Sequence, residues 1–385
     1  MRTLSTPERR RPGHCALAGL IAAILWAMSA GAGEGDDAME PLLPDPLPDP
    51  YVFHDGAHWY VFGTGTHFFH GPALTRDAME RDHFELDFGE EGGPYGIWGF
   101  KPYRHADGSW HAYVTIHYGR FVTSVAHFVP QEGERWLPGD PVRRWRFASV
   151  LAGGRSPDEP VAYDQSMVTD DDGAIYLVYD MSPRLGADVS IMVQRMRDPA
   201  TPDPTFAPRP LLAPAGYRSE DRNPGYIQIV EGTNIQKVDG RWVLVYSVGD
   251  FALYGDHPSN YKIGVAYSDT LIPPEGQTYQ RVLIPDPRRI WGNADREEEV
   301  CYLLQSQQPE WPNYCARWVK GPGLGNIVRE DGADWLVFHG YKPDATGDDP
   351  AGGRHVWKRP LEINIDPARP MHTWLRVRFP EDDDG

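Results

Sequence analysis

The sequence predicts an all-β protein built as a five-bladed β-propeller. Three observations carry this prediction: a strand–turn–strand unit recurs five times, helical periodicity is nearly absent, and 37 Pro with 40 Gly interrupt any long helix. Each unit places an Asp-Gly pair between two runs rich in Trp, Tyr, Val and Leu, which is a strong local signal for a β-hairpin. A β-sandwich is the alternative fold, but it does not explain the regular recurrence.

The five Asp-Gly pairs begin at Asp55, Asp107, Asp172, Asp239 and Asp331, and they are therefore 52, 65, 67 and 92 residues apart. Each interval leaves room for a hairpin and two further strands, which is the content of one propeller blade. The longest interval also holds an insertion before the fifth copy. A type I′ turn needs positive φ at both central residues, so we expect Asp and Gly to adopt this conformation at each hairpin.

The first 32 residues are predicted to be a secretory signal peptide. A basic start that contains Arg2 and Arg9 to Arg11 precedes the apolar run CALAGLIAAILWAMSA, and small residues at Ala30 to Ala32 offer a cleavage site. An uncleaved membrane anchor is the alternative, although the run is shorter than the ~20 residues that a span needs. We therefore predict a signal peptide over 1–32 and a single propeller domain over 33–385. The product is secreted or periplasmic and has no stable membrane association.

The acidic charge of the chain argues against nucleic acid as a partner. The formal net charge is −18, and removal of residues 1–32 takes away four Arg and one Glu, which brings the charge to about −21. A nucleic-acid-binding protein needs a basic stripe instead. Cys15 also leaves with the signal peptide. In an oxidising compartment the remaining Cys301 and Cys315 predict a disulfide, with two buried free thiols as the alternative.

Three carboxylates stand six to eight residues before an Asp-Gly pair, namely Asp49, Asp164 and Glu231. The corresponding places in the second and fifth copies lie near Phe100 and Gly323. Because the first strand of each blade lines the propeller axis, we expect the three carboxylates to converge in one axial pocket. Close carboxylates cannot all keep ordinary pKa values, so one can donate a proton while another accepts one. This is the division of labour in glycoside hydrolysis.

These segments resemble glycoside hydrolase family 43, the five-bladed propeller enzymes that act on arabinose- and xylose-containing glycans. The resemblance spans roughly Leu47 to Tyr341 and rests on LPDPYVF, YDQSMVTDDDGAIYLVY, EGTNIQKVDGRWVLVYS and GPGLGNIVREDGADWLVFHGY. It implies that Asp49 is the general base, that Asp164 tunes the acid and that Glu231 is the general acid of an inverting hydrolase. In such enzymes the acid and the base stand about 6.5–9.5 Å apart.

The chain departs from the family pattern in its second and fifth blades. IWGFKPY stands where the family has Trp-Ala-Pro-Asp, and Leu324 and Gly325 stand in place of the His-Asn of Gly-Pro-Gly-His-Asn. That His commonly helps to hold a central calcium ion. The resemblance therefore implies no required cofactor and, at most, a structural Ca²⁺ in the central channel. His339 is the candidate replacement as a metal ligand or substrate contact, and the alternative is a His that lines the axis without a metal.

Further candidate substrate contacts are Trp98, Phe68, Lys101 and Arg222. Trp98 offers a platform on which a sugar stacks, or else it packs in the core. Phe68 lies in the first-blade loop and is expected to shape the pocket. Lys101 either binds substrate or is solvated at the rim, and Arg222 leaves open a sulfated or uronic glycan.

The predicted function is thus an exported, inverting glycoside hydrolase that cleaves arabinose-type, xylose-type or related linkages in a polysaccharide or oligosaccharide. A carbohydrate substrate is the predicted partner. The alternatives are a carbohydrate-binding propeller without catalysis and a related propeller glycosidase that acts on an algal or other glycan.

Overall fold

The computed structural model describes residues 40–89, 94, 96–119, 121–215, 221–222, 227–252, 259, 261–282, 302–305, 315–346, 353–364 and 374–379. The elements named within these ranges are β-strands apart from a 3₁₀ turn at Arg76–Ala78. None of the helical structure in these ranges is long or apolar enough to cross a membrane. The predicted signal peptide lies outside the described residues and stays a prediction.

Five sheets form the five predicted blades, and their strands pair antiparallel apart from one parallel pair in the second sheet. The first consists of β1 (Tyr51–His54), β2 (Trp59–Phe62), β3 (His67–Gly71) and β4 (Glu80–His83). The second consists of β6 (Gly96–Arg104), β7 (Trp110–His117), β8 (Thr123–Pro130) and β9 (Arg144–Gly153), and β5 (Glu85–Asp87) pairs parallel with β9. The third consists of β10 (Val161–Thr169), β11 (Ile175–Ser182), β12 (Ser190–Asp198) and β13 (Thr201–Pro202), with β14 (Arg209–Leu212) against β12.

The fourth blade consists of β17 (Val230–Val238), β18 (Arg241–Val248), β19 (Lys262–Ser268) and β20 (Gln280–Arg281), with β21 (Tyr302–Gln305) against β19. A short pair, β15 (Asp221–Arg222) and β16 (Ile227–Gln228), precedes it. The fifth consists of β22 (Lys320–Glu330), β23 (Ala333–Tyr341), β24 (His355–Asn364) and β25 (Trp374–Val377). The all-β, five-bladed architecture predicted from the sequence is therefore confirmed.

The Asp-Gly pairs form the first turn of each blade, but only two of them adopt the predicted type I′ conformation. Asp239 and Gly240 have φ of 47° and 84°, and Asp331 and Gly332 have φ of 51° and 82°. In the first three blades the turns are the longer loops 55–58, 105–109 and 170–174, in which only the Gly of the pair has positive φ. The type I′ prediction is wrong there because the extra residues let Asp keep ordinary dihedrals.

The first strand of every blade bends at one level of the axis. Backbone φ is positive there at Asp49, Gly99, Asp164, Gly232 and Leu324. In the second to fifth blades this position coincides with a shift in strand register, which is the mark of a β-bulge. The five positions are equivalent because they share the positive φ, and four of them share the register shift as well. A bulge changes the direction of the side chains on either side of it, so this is the level at which side chains turn towards the axis.

The ring closes where the chain before β1 meets the fifth blade. The backbone N–H of Leu42 donates to the carbonyl oxygen of Val356 at 2.7 Å, and that of Leu47 donates to Arg354 at 3.0 Å. The side-chain amide of Asn326 also donates to the carbonyl of Pro50 at 2.8 Å. These bonds bring Asp49 next to the residues that begin β24.

Candidate functional site

A cavity of about 390 Å³ lies near the start of the first strands, and residues from all five blades line it. The lining includes Asp49 of the first blade, Trp98 of the second, Asp164 of the third, Glu231 of the fourth and Arg354 of the fifth. The structure thus brings together the three carboxylates that the sequence predicted to converge.

Asp49 is held by contacts from two blades. Its Oδ2 accepts a 2.5 Å hydrogen bond from the hydroxyl of Thr64, and its Oδ1 accepts one of 3.0 Å from Nη1 of Arg354. Burial is the largest single influence and lowers the pKa of Arg354. The charge of Asp49, with smaller contributions from Tyr341, Tyr261 and Asp164, acts in the opposite direction, and together they raise the pKa of the guanidinium. Arg354 therefore stays positive and compensates the charge of Asp49. Sequence reasoning missed Arg354, which stands far from any hairpin signal.

A second group of carboxylates belongs to the third and fourth blades. The group consists of Asp164, Asp180 and Glu231, and all three residues are buried. Each contributes one carboxylate oxygen to a set in which every pair of oxygens is within 4.8 Å. Burial, followed by repulsion from neighbouring carboxylates, raises the pKa of Asp164 and of Asp180 well above the ordinary range. The group therefore keeps protons at pH values where isolated carboxyl groups are ionised.

Asp180 is the member of this group that sequence reasoning missed. It lies on β11 opposite Tyr163 of β10, and its Oδ2 accepts a 2.6 Å hydrogen bond from the backbone N–H of Gly232. Gly232 has φ of 86°, and a Cβ there would lie 2.5 Å from the side chain of Leu324, so the position requires Gly. Asp180 thus fixes the backbone beside Glu231. The available signal was an acidic residue inside the apolar strand IYLVYDMS.

Two tyrosine hydroxyls orient Glu231. Tyr163 donates to Oε2 at 2.8 Å, and Tyr261 donates to Oε1 at 2.5 Å. Burial, and then the negative charge of Glu231, raise the pKa of both hydroxyls, so both remain donors. The carboxyl group of Glu231 is therefore fixed in direction while the residue lines the cavity.

Glu231 does not occupy the position equivalent to Asp49 and Asp164. Those two have positive φ of 59° and 48° at the bulge, where the fourth blade has Gly232. Glu231 comes one residue earlier, so the predicted equivalence of the three carboxylates is wrong by one position. The counting from the Asp-Gly pairs failed because the first turns differ in length between blades, so the Asp-Gly pair does not keep a fixed distance from the bulge.

Lys101 is buried and is not among the residues that line the cavity, so the interpretation that it is solvated at the rim is wrong, and its role as a substrate contact stays a prediction. It is 6% exposed, and its Nζ donates to Ser166 Oγ at 2.9 Å and to Thr233 Oγ1 at 3.4 Å. Burial lowers its pKa, while the charges of Asp164 and Asp180 act in the opposite direction. Lys101 therefore places an ammonium beneath the carboxylate group.

His339 was predicted as a metal ligand or substrate contact, and its surroundings fit neither role. It is fully buried; its Nδ1 accepts a 2.9 Å hydrogen bond from the backbone N–H of Asp49, and its Nε2 lies 3.3 Å from Nη1 of Arg354. Burial and the neighbouring guanidinium hold its pKa well below the ordinary value. A calcium ion prefers oxygen ligands and would meet the positive charge of Arg354 here. The structure therefore places His339 as a neutral support for Asp49.

Of the two aromatic candidates, the structure places one at the cavity and one in the core. Trp98 lines the cavity, with its ring 4.9 Å from that of His117 and 6.1 Å from that of Phe121. Phe68 is fully buried and packs against Tyr60 and other core side chains, so the prediction that it shapes the pocket is wrong. The two faces of β3 pack against different hydrophobic clusters, Phe68 against side chains of the second blade and Phe69 against side chains of the fifth, and hence both consecutive aromatic residues are buried.

Arg222, Cys301 and Cys315 are the remaining candidates. Backbone atoms of Arg222 belong to β15, and its side chain lies outside the described residues, as does Cys301. Cys315 is buried, with its Sγ 3.4 Å from the carbonyl oxygen of Val319. The substrate contact by Arg222 and the disulfide both stay predictions.

Comparison with known proteins supports the fold. No family model and no curated protein sequence matches the chain. Among solved structures, α-L-arabinofuranosidase from Lactobacillus brevis matches with a TM-score of 0.61 at 20% identity, covering 85% of this chain and 94% of that one. The α-L-arabinanase of Cellvibrio cellulosa, complexed with arabinohexaose, matches with a TM-score of 0.60 at 19% identity, covering 88% and 97%.

A thermostable family-43 glycoside hydrolase matches equally well, with a TM-score of 0.60 at 19% identity over 88% of this chain and 95% of that one. At these identities the likeness concerns the fold. The chain therefore has the five-bladed propeller fold found in solved glycoside hydrolases of family 43, as the sequence resemblance implied.

Proposed function

We propose that the chain is an exported glycoside hydrolase that cleaves arabinose-type, xylose-type or related linkages with inversion at the anomeric carbon. One observation carries the proposal: Asp49 and Glu231 line the same cavity in different electrostatic surroundings. Asp49 is paired with a cation, whereas Glu231 lies within a group of buried carboxylates that keeps protons. A base and an acid at one cavity are the requirement for glycoside hydrolysis.

In this proposal Asp49 is the general base. The side chain of Asp49, paired with Arg354 and held by Thr64, takes a proton from a water molecule as the water oxygen bonds to the anomeric carbon. The fixed hydrogen bonds restrict the carboxylate to one direction, which favours a well-placed water molecule.

Glu231 is the general acid that protonates the leaving oxygen as the glycosidic bond breaks. Its carboxyl group is oriented by Tyr163 and Tyr261 and lies beside Asp164 and Asp180, which favour the retention of protons in this group. Asp164 and Asp180 act through Glu231 and are positioning residues. The sum of the step is the addition of one water molecule across the glycosidic bond.

Export is the other part of the proposal. It rests on the basic, apolar and small-residue succession over residues 1–32 and on the acidic composition of the remaining chain. A secreted or periplasmic enzyme would meet glycans outside the cytoplasm. N-terminal sequencing of the protein recovered from the medium or periplasm tests it, because a mature chain that still begins at Met1 contradicts cleavage.

The activity is tested by sugar release from a panel of 4-nitrophenyl α-L-arabinofuranoside, β-D-xylopyranoside and other glycosides, with arabinan, xylan and algal polysaccharides beside them. We expect release from one sugar class, and the first-formed product followed by ¹H NMR should show the anomer opposite to the substrate. The same anomer would contradict inversion. Sugar binding without release from any substrate would favour the carbohydrate-binding alternative.

A further inference from the structure

The mouth of the cavity carries exposed apolar side chains. Among the described residues the exposed large hydrophobic side chains are Phe121, Leu137 and Leu185, at 48%, 42% and 37%. Two of them, Phe121 and Leu185, line the cavity. A single exposed hydrophobic residue is normal, but two at one cavity mark a surface that receives an apolar group.

Both exposed residues are held in place by the backbone. Phe121, between β7 and β8, has φ of 62°, a conformation that is costly for an aromatic residue and that persists where the surroundings impose it. Leu185 lies between β11 and β12, and its backbone N–H donates to the carbonyl oxygen of Pro157 at 3.3 Å. The hydroxyl of Ser182 closes the same loop by donating to the carbonyl oxygen of Ala187 at 3.0 Å. The apolar mouth is thus a built feature.

The cavity wall next to Glu231 is aliphatic. Ile229 precedes Glu231 by two residues, and a parallel bridge joins Ile229 to Val189. Val189, Ile227 and Ile229 all line the cavity, as does Leu185 at the mouth. A general acid protonates the oxygen of the leaving group, so the leaving group lies on the side of Glu231. The aliphatic wall therefore flanks the leaving group.

We propose that the cavity takes a glycoside whose leaving group is apolar, an alkyl or aryl group, and that Phe121 and Leu185 determine this preference. The inference rests on the glycosidase function proposed above. A sugar leaving group would lose hydrogen bonds to water against aliphatic side chains, which is unfavourable. An alkyl or aryl group loses none and removes apolar surface from water on both partners.

The preference is tested with hexyl and methyl glycosides of the sugar that the chain releases fastest. The two leaving alcohols have similar acidity, so the ratio of their kcat/KM values reports the contacts of the alkyl chain. We expect the hexyl glycoside to be at least about tenfold better. The Phe121→Ser/Leu185→Ser variant should bring the ratio towards one, while the matched control Leu137→Ser, at an exposed residue outside the cavity, should keep it.

A hexyl-to-methyl ratio near one in the unaltered chain overturns the inference, and so does a ratio that the double variant retains. If the double variant does not fold, the hexyl-to-methyl ratio of kcat/KM is measured in Leu185→Ser alone. If no glycoside is cleaved, the proposed function fails, and calorimetric binding of hexyl and methyl arabinofuranosides and xylopyranosides decides the inference separately. Binding of the hexyl compounds that is at least about tenfold tighter supports the apolar site, and equal affinity overturns it.

Discussion

The guanidinium of Arg354 donates a 3.0 Å hydrogen bond to the carboxylate of Asp49, across a separation of 305 residues in the sequence. Both side chains are about 15% exposed, so the pair is largely shielded from water. Removing one partner leaves a buried charge without compensation.

Arg354→Met should therefore lower the free energy of unfolding by about 3 kcal/mol. The double variant Arg354→Met/Asp49→Asn should regain part of this loss, because the second change removes the uncompensated carboxylate. Urea unfolding at neutral pH measures both. Equal losses in the single and the double variant would show that an uncompensated Asp49 carboxylate is not the cause of the loss.

Asp180 should make the protein less stable as the pH rises. Its raised pKa means that the native state binds a proton that the unfolded state, with an ordinary pKa near 4, has already released. Between these two pKa values the free energy of unfolding falls with increasing pH, by up to about 1.4 kcal/mol per pH unit for one group.

Asp180→Asn cannot titrate and keeps an acceptor for the N–H of Gly232, so the slope of stability against pH should become less negative. Urea midpoints measured from pH 4 to pH 9 give that slope. Asp171→Asn, at an exposed turn, is the control and should leave it unchanged. An unaltered slope in Asp180→Asn would mean that Asp180 is ionised throughout.

Lys101 should set the alkaline limb of the pH–activity profile. Burial, Asp49 and Glu231 raise the pKa of Asp164, and the ammonium of Lys101 opposes them. Lys101→Met therefore raises the pKa of Asp164 further, and the carboxylate group keeps its protons to higher pH. The alkaline limb of kcat/KM should move to higher pH. Lys358→Met is the control and should not move the limb, because Lys358 is largely buried like Lys101 but is paired with Glu330 and does not line the cavity.

Chelation should leave the protein unaffected. The cations that face the axial carboxylates in the described residues are Lys101 and Arg354, and His339 has both ring nitrogens near protein donors. Dialysis against EGTA should change neither the Tm nor kcat/KM. A loss of activity that Ca²⁺ restores would show that a metal ion has a role that these residues do not reveal.

The sequence predicted the blades well because each blade carries its own local signal. An Asp-Gly pair between two apolar runs specifies a hairpin. Five such hairpins at regular intervals favour a propeller, in which each four-stranded sheet packs against the next around a central axis. Details of the turns were less predictable: Asp55 and Asp239 look alike in sequence, yet only Asp239 has positive φ.

The site was predicted in part, because only some of its residues lie shortly before an Asp-Gly pair in the sequence. Asp49 and Asp164 stand six and eight residues before their Asp-Gly pairs, so approximate counting found them, although the same counting misjudged the position of Glu231 by one residue. Asp180 lies on a second strand and Arg354 just before β24, and no local pattern connects either to the axis. Phe68 was misplaced because a strand whose two faces are both buried has no alternation of apolar and polar residues, and the spacing then does not indicate which way a side chain points.

The assignment of acid and base is tested most directly by two variants and two leaving groups. Glu231→Gln should lower kcat/KM by orders of magnitude on an alkyl glycoside and far less on the 2,4-dinitrophenyl glycoside, whose leaving group needs no proton. Asp49→Asn should lower kcat/KM on both substrates, because the attacking water molecule needs a base whichever group leaves. Glu362→Gln, on an outer strand, is the control. Equal losses on both substrates in Glu231→Gln, or full activity in either variant, would contradict the account.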